Sequence, residues 1–215
     1  MSKAFIVGPE GIVGGIGETE RRLFQGIFSS VIDLLEPEEA ESADPLEALI
    51  GWNHEVSVPT DPALRRLLPD AVAEDDDAAL ELRRLTERSV RQSKVGALRA
   101  ASLMFDSEEL RLSLPQAELL VRALNDVRLV MAERLGLDTP EAVESLHEGA
   151  ETSEEDEDFL AIVYRFASAL QGALVHAMLA LRKAERKQAK REGQQAVQPT
   201  TDAEDPGAES PEAEK

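Results

Sequence analysis

The stretch LPQAELLVRALNDVRLVMAERLG, residues 114–136, decides the fold class. Leu120, Leu124, Val127, Met131 and Leu135 recur every three or four residues, so they fall on one stripe of an α-helix. Pro115 suits the first turn, where a missing N–H costs nothing, and Gly136 suits the stop. A helix striped in this way needs other apolar faces to pack against.

The neighbouring sequence supplies them. A helix starting near Thr19 presents Leu23, Ile27, Val31 and Leu34, with Phe24, Phe28 and Leu35 beside them, and ends before Pro37. The run Asp75-Asp76-Asp77 opens a long helix to about Phe105. Carboxylates there suit both the cap and the positive end of the helix dipole. A calcium loop of the EF-hand type needs alternating acids, a Gly and a distal Glu, which these consecutive aspartates do not supply. Along this helix Ser89, Ser93, Gly96 and Ala100 continue the face begun by Leu82 and Leu85, and such small side chains predict the close approach of another helix. A final helix from about Asp158 carries Phe159, Val163, Phe166, Leu170, Leu174, Ala177 and Leu181, then continues as the polar stretch Arg182 to Arg191.

Before the first helix, Phe5 and Val7, then Ile12, Gly14 and Ile16, alternate around Pro9-Glu10-Gly11 and predict two short strands in a hairpin. Residues 110–114 are the candidate third strand. The expected architecture is mainly α, a four-to-five-helix bundle with a small N-terminal β-hairpin that 110–114 extends to three strands. Residues 1–191 form a single helical domain in this reading, with an acidic linker at 138–157 and a disordered acidic tail at 192–215. A connector from Glu36 to Pro62 is punctuated by prolines and acids, with short helical turns near 46–50 and 63–67 and Trp52 as its anchor.

Composition narrows the chemistry. The formal net charge is -20, so the surface as a whole repels polyanions, and direct nucleic-acid binding is not expected. There is no cysteine, which excludes disulfides, thiolate nucleophiles and zinc–thiolate sites. Pro9 and Glu10 interrupt the first apolar run, and the apolar helix at 159–181 contains Arg165, Gln171 and His176. No membrane segment is therefore expected, and the expected compartment is the cytoplasm. Aromatics are 4% of the residues, so the core is expected to be built from Leu, Val, Ile and Ala.

No motif reaches the specificity of a catalytic or cofactor site. Gly11 to Gly17 is glycine-rich after a strand, but it has neither G-x-G-x-x-G nor P-loop spacing, so a hairpin is the preferred reading. His54, His147 and His176 lie far apart without metal-ligand spacing. Acid pairs such as Glu108-Glu109 and Glu154-Glu155 match the default solvated surface. The basic run Arg182, Lys183, Arg186, Lys187, Lys190 and Arg191 reads as a favourable cationic helix end, screened by the acids that follow. The chain is expected to be no enzyme, with no cofactor and no metal.

Two blocks carry a family resemblance. The first is Asp61-Pro62-Ala63-Leu64-Arg65-Arg66-Leu67-Leu68-Pro69-Asp70-Ala71 followed by Leu82-Arg83-Arg84-Leu85-Thr86-Glu87. The second is Ala123-Leu124-Asn125-Asp126-Val127-Arg128-Leu129-Val130 with Arg134-Leu135-Gly136. In these blocks the chain resembles an actinobacterial family of domains of unknown function, encoded beside ClpS and typified by the oxidative-stress transcription regulator AosR. The resemblance covers most of residues 1 to 182 and is weakest before Leu23. It implies a transcription regulator that acts through protein–protein contact with a sigma factor or RNA polymerase. The gene neighbourhood implies an alternative, an accessory protein linked to ClpS–Clp proteolysis with no direct role in transcription. Sensing through paired cysteines, as implied for the regulator, has no counterpart in a chain without cysteine.

The same blocks can be read from their residues. Pro62 opens a short helix and Pro69 forces its exit, making a rigid corner. Arg65, Arg84, Arg88, Asn125, Asp126 and Arg128 are the candidate structural or partner-binding residues. Asp126 is expected to pair with Arg84 or Arg88 across a helix interface, and the apolar stripes leave a homodimer open.

Overall fold

A computed structural model describes residues 3–8, 11–36, 57–72, 75–148 and 159–195. Among them lie three strands and six helices: β1 Lys3–Gly8, β2 Gly11–Gly15, α1 Glu18–Leu35, α2 Pro62–Leu67, α3 Asp76–Met104, β3 Glu109–Leu112, α4 Leu114–Arg134, α5 Pro140–Glu148 and α6 Phe159–Gln195. The fold is mainly helical, as the sequence predicts, with one small antiparallel sheet in the order β1-β2-β3. The expectations for 46–50, Trp52, His54, Glu154-Glu155 and residues 196–215 lie outside the described residues, as does the side chain of His147.

The hairpin and the third strand form because inward and outward positions alternate. Ile12 and Gly14 of β2 pair with Leu112 and Leu110 of β3, and all four are buried, while Glu109 and Arg111 face solvent. Gly14 is required by packing, since the ring of Phe5 lies where a Cβ would stand. β3 ends at Leu112, short of the predicted 114, because Ser113 begins α4 and its N–H donates to Gln116 Oε1 at 2.9 Å.

The helix ends follow the signals in the sequence. Asp75 accepts from the N–H of Ala78 at 3.0 Å and caps α3. Asp61 accepts from Ala63 and Leu64 and caps α2. α4 stops at Gly136 (φ 68°), with Leu137 N–H donating to Ala132 O and Gly136 N–H to Glu133 O, a Schellman closure.

One further expectation changes. The linker expected at 138–157 holds helix α5 in its first half, because Thr139 Oγ1 accepts from Ala142 N–H at 3.2 Å and Pro140 occupies the first turn. The core is built mainly from Leu, Ile, Val and Ala, as expected, and it also holds an aromatic cluster: Phe24 lies 5.9 Å from Phe28, 6.1 Å from Phe105 and 5.3 Å from Phe166, centroid to centroid. The phenylalanines are few, but they converge where α1, α3 and α6 meet. Aromatic pairs of this kind are worth about 0.5–1.5 kcal/mol each beyond area burial.

Leu, Ile, Val and Ala side chains of all four long helices and of the sheet surround this knot. The chain divides into a compact unit ending at Leu181 and a second unit from Arg182. By length and composition α6 is apolar enough to cross a membrane over Phe159–Arg191. In the compact unit one face of it, with Val163, Ala167, Leu170 and Leu174, is buried in the core.

Candidate functional site

The middle of α3 leaves the apolar core. Where the helical repeat brings positions 83, 87 and 91 inward, the sequence places Arg83, Glu87 and Arg91 instead of aliphatics. They form a ladder. Arg83 donates to Glu87 at 2.7 Å, to Asp70 at 2.7 Å and to the carbonyl of Leu68 at 2.9 Å. Arg91 donates to Glu87 at 2.7 Å and to the carbonyl of Leu35 at 2.6 Å. The two guanidiniums thus close the C-terminal ends of α2 and α1, where unpaired carbonyls concentrate negative charge. Burial alone lowers the pKa of Arg83, but the hydrogen bonds to Asp70 and Glu87 outweigh it and the net shift is upward.

One turn further along, Lys94 donates to Asp126 Oδ1 at 2.6 Å across the α3–α4 interface. Asp126 is 3% exposed. Burial raises its pKa above the ordinary carboxylate value, against the opposing pull of the Lys94 ammonium. Beside the pair lies a cleft of about 630 Å³ lined by Ser89, Val90, Ser93, Lys94, Ala97, Val121, Arg122, Asn125, Asp126 and Gln171. Gln171 of α6 forms its fixed wall: it accepts from Arg128 through Oε1 and donates through Nε2 to Val121 O at 3.2 Å.

The predicted site residues divide between these features. Asp126 is buried at the interface, but its partner is Lys94, not Arg84 or Arg88. Lys94 stands ten residues, or about 15 Å of helix, beyond Arg84, and Arg88 lies on another face. Arg84 pairs with Glu81 at 3.1 Å in solvent, and Arg88 is exposed. Asn125 is exposed and lines the cleft. Arg128 has its guanidinium 5.4 Å from the Tyr164 ring centroid and reaches Gln171, so it joins α4 to α6 through a cation–π contact and a hydrogen bond. Arg65 donates to Pro59 O at 3.2 Å and holds the corner before α2.

The small-residue face of α3 does not receive another helix. Ser89 and Ser93 are exposed, and a Cβ on Gly96 would meet nothing within 4 Å. Its row, Leu82, Leu85, Ser89 and Ser93, stays open, with Leu85 67% exposed. Sequence reading missed Lys94, Arg122, Gln171 and the ladder. The one signal available was charge at inward helical positions, Arg83, Glu87 and Arg91.

Gly11–Gly15 is strand β2, as the hairpin reading requires. His176 is exposed, with Nδ1 2.8 Å from Gly172 O. Among the described residues no group of three or more His, Asp or Glu is placed to hold a metal ion. The model of a family described as a domain of unknown function, DUF2017, matches residues 2–178. No curated protein and no solved structure matches the chain.

Proposed function

The chain belongs to the DUF2017 family, and on that footing we propose that it is a cytoplasmic AosR-like transcription regulator of the oxidative-stress type. It acts without catalysis, through contact with a sigma factor or RNA polymerase. The observation that carries this reading is the open row on α3, where Leu82 and Leu85 stand in solvent beside a cleft. Exposed leucines at helical spacing next to polar groups are what a partner helix or groove engages. The net charge of -20 favours a protein surface over a nucleic acid.

Crosslinked pull-down from native cells with the wild-type chain and Leu85→Glu tests it, alongside binding of the purified protein to promoter DNA at two salt concentrations. Enrichment of a sigma factor or RNA polymerase by the wild type, lost in Leu85→Glu, supports the reading. Enrichment of ClpS or Clp subunits instead would favour the proteolysis-linked accessory role. Tight, salt-resistant DNA binding by the protein alone would overturn both.

A further inference from the structure

We propose that the α3–α4 cleft binds a small organic monocarboxylate, with the carboxylate on Arg122 and Asn125 and an apolar body along Val90, Ala97 and Val121. At about 630 Å³ the cleft has the size of a small-molecule site, and its lining pairs apolar wall with a few polar groups. What decides the ligand is which of those groups are already spent. Gln171 is engaged at both ends of its amide, and Asp126 holds Lys94. By contrast the Arg122 guanidinium, the Asn125 amide and the Ser89 and Ser93 hydroxyls are exposed, and among the described residues their side chains have no hydrogen-bond or ion-pair partner.

The unspent groups are donors, or can donate, and the only full charge among them is positive. Lys94 and Asp126 cancel, so Arg122 leaves the cleft locally cationic inside a chain whose formal charge is -20. An incoming ammonium would meet two cations and a carboxylate already paired. A carboxylate would meet a planar fork that matches it in two parallel hydrogen bonds, with hydroxyls and an amide alongside. The chain's formal charge of -20 favours a ligand of a single charge: repulsion beyond about 8 Å is screened at physiological salt, but a polyanion would extend beyond the cleft over a surface of net negative charge. This inference does not depend on the identity of the protein partner.

The absence of cysteine provides the assay. Gly96→Cys lies three residues from Ser93 on the same face, has open space around its Cβ, and accepts a single environment-sensitive fluorophore. Hexanoate, its neutral counterpart hexanamide, and hexylamine are titrated against the labelled protein, alone and with Arg122→Gln. Saturable hexanoate binding at about 1 mM or tighter is expected, with hexanamide at least about tenfold weaker and hexylamine weaker still. Arg122→Gln should weaken hexanoate by about tenfold and leave hexanamide unchanged, with an unaltered urea midpoint showing that the variant folds. Equal binding of acid and amide, indifference of hexanoate to Arg122→Gln, or no saturable signal overturns the proposal. Capture of a helical peptide with a single Glu tenfold more tightly than hexanoate would overturn it too, placing the carboxylate on a protein.

Discussion

Replacing Lys94 by Met retains most of the side chain's volume and, among the described residues, removes the one cation that Asp126 touches, with its ammonium 2.6 Å from Oδ1. Asp126, 3% exposed, is then a buried carboxylate without compensation. Breaking a buried pair from one side costs about 3–5 kcal/mol. Lys94 is partly exposed, with 22% of its side chain accessible, so we take the lower end, about 3 kcal/mol at pH 7. For a chain of this size that lowers the thermal midpoint by about 6–12 °C.

The penalty must depend on pH, and its sign is fixed. The folded-state pKa of Asp126 is raised above 3.8 by burial, and loss of Lys94 removes the interaction that pulls it back down. The folded protein therefore holds this proton more tightly than the unfolded chain does. Stability rises as pH falls from the folded pKa towards 3.8, by up to about 1.4 kcal/mol per pH unit. Urea unfolding of wild type and Lys94→Met at pH 7 and pH 5 measures it, and the difference between the two proteins should shrink by about 1 kcal/mol or more at the lower pH. Adding Asp126→Leu should restore most of the loss at pH 7, since two apolar side chains can replace a buried pair at little cost. A Lys94→Met penalty below about 1 kcal/mol, or one that is the same at both pH values, would refute the argument that Lys94 compensates a buried charge.

Gly14→Ala should cost about 1–3 kcal/mol, because its methyl group must displace the Phe5 ring, whereas Gly96→Ala should gain about 0.5–1 kcal/mol in open space; paired denaturation curves compare the two. Arg83→Met should cost about 2–3 kcal/mol in the same assay, since the Leu68 carbonyl and Asp70 lose their donor while Glu87 keeps Arg91. Asp61 has the opposite pH sign to Asp126. Its carboxyl is held below 3.8 first by the hydrogen bond from Arg134, so its contribution is present above 3.8 and is lost as pH falls towards the lower folded value. Arg134→Gln should accordingly move the acid-unfolding midpoint to higher pH, followed by far-ultraviolet circular dichroism.

The elements that the sequence made legible are those in which one local signal decides the outcome. Asp75 before α3, Pro115 in α4 and Gly136 after it act within a turn of their own position, and each helix end falls beside its signal. The third strand could be read from the alternation of Leu110 and Leu112 with Arg111. Helix α5 was hidden because its acidity and short length gave a linker composition, and only Thr139-Pro140 marked its start. Asp126 was identified as an interface residue, but not its partner. The register between α3 and α4 is a tertiary quantity: a shift of a turn or two exchanges Arg84, Arg88, Arg91 and Lys94 as neighbours, and no local pattern separates them. The cleft was misread for a related reason. Small residues permit close approach, but whether a helix fills the space depends on where α4 and α6 are held.

The helix ends are closed by a device that also explains how an acidic chain comes to have a cationic cleft. Arg21 donates to the carbonyls of Phe105 and Asp106 at the end of α3, Arg91 to Leu35 at the end of α1, Arg83 to Leu68 at the end of α2, and Arg165 to Leu146 near the end of α5. A guanidinium suits this task because its several donors reach a carbonyl and a carboxylate together, so one side chain closes a helix end and ties it to a neighbour. These arginines are therefore committed to main-chain oxygens inside the molecule, while the excess of carboxylates faces solvent. Arg122 differs from them. It stands on the exposed side of α4 with no carbonyl end or described carboxylate to receive it, opposite hydroxyls in the same condition. In a chain with 43 acidic residues against 23 basic ones, the Arg122 guanidinium at the cleft is the group that the proposed carboxylate would engage.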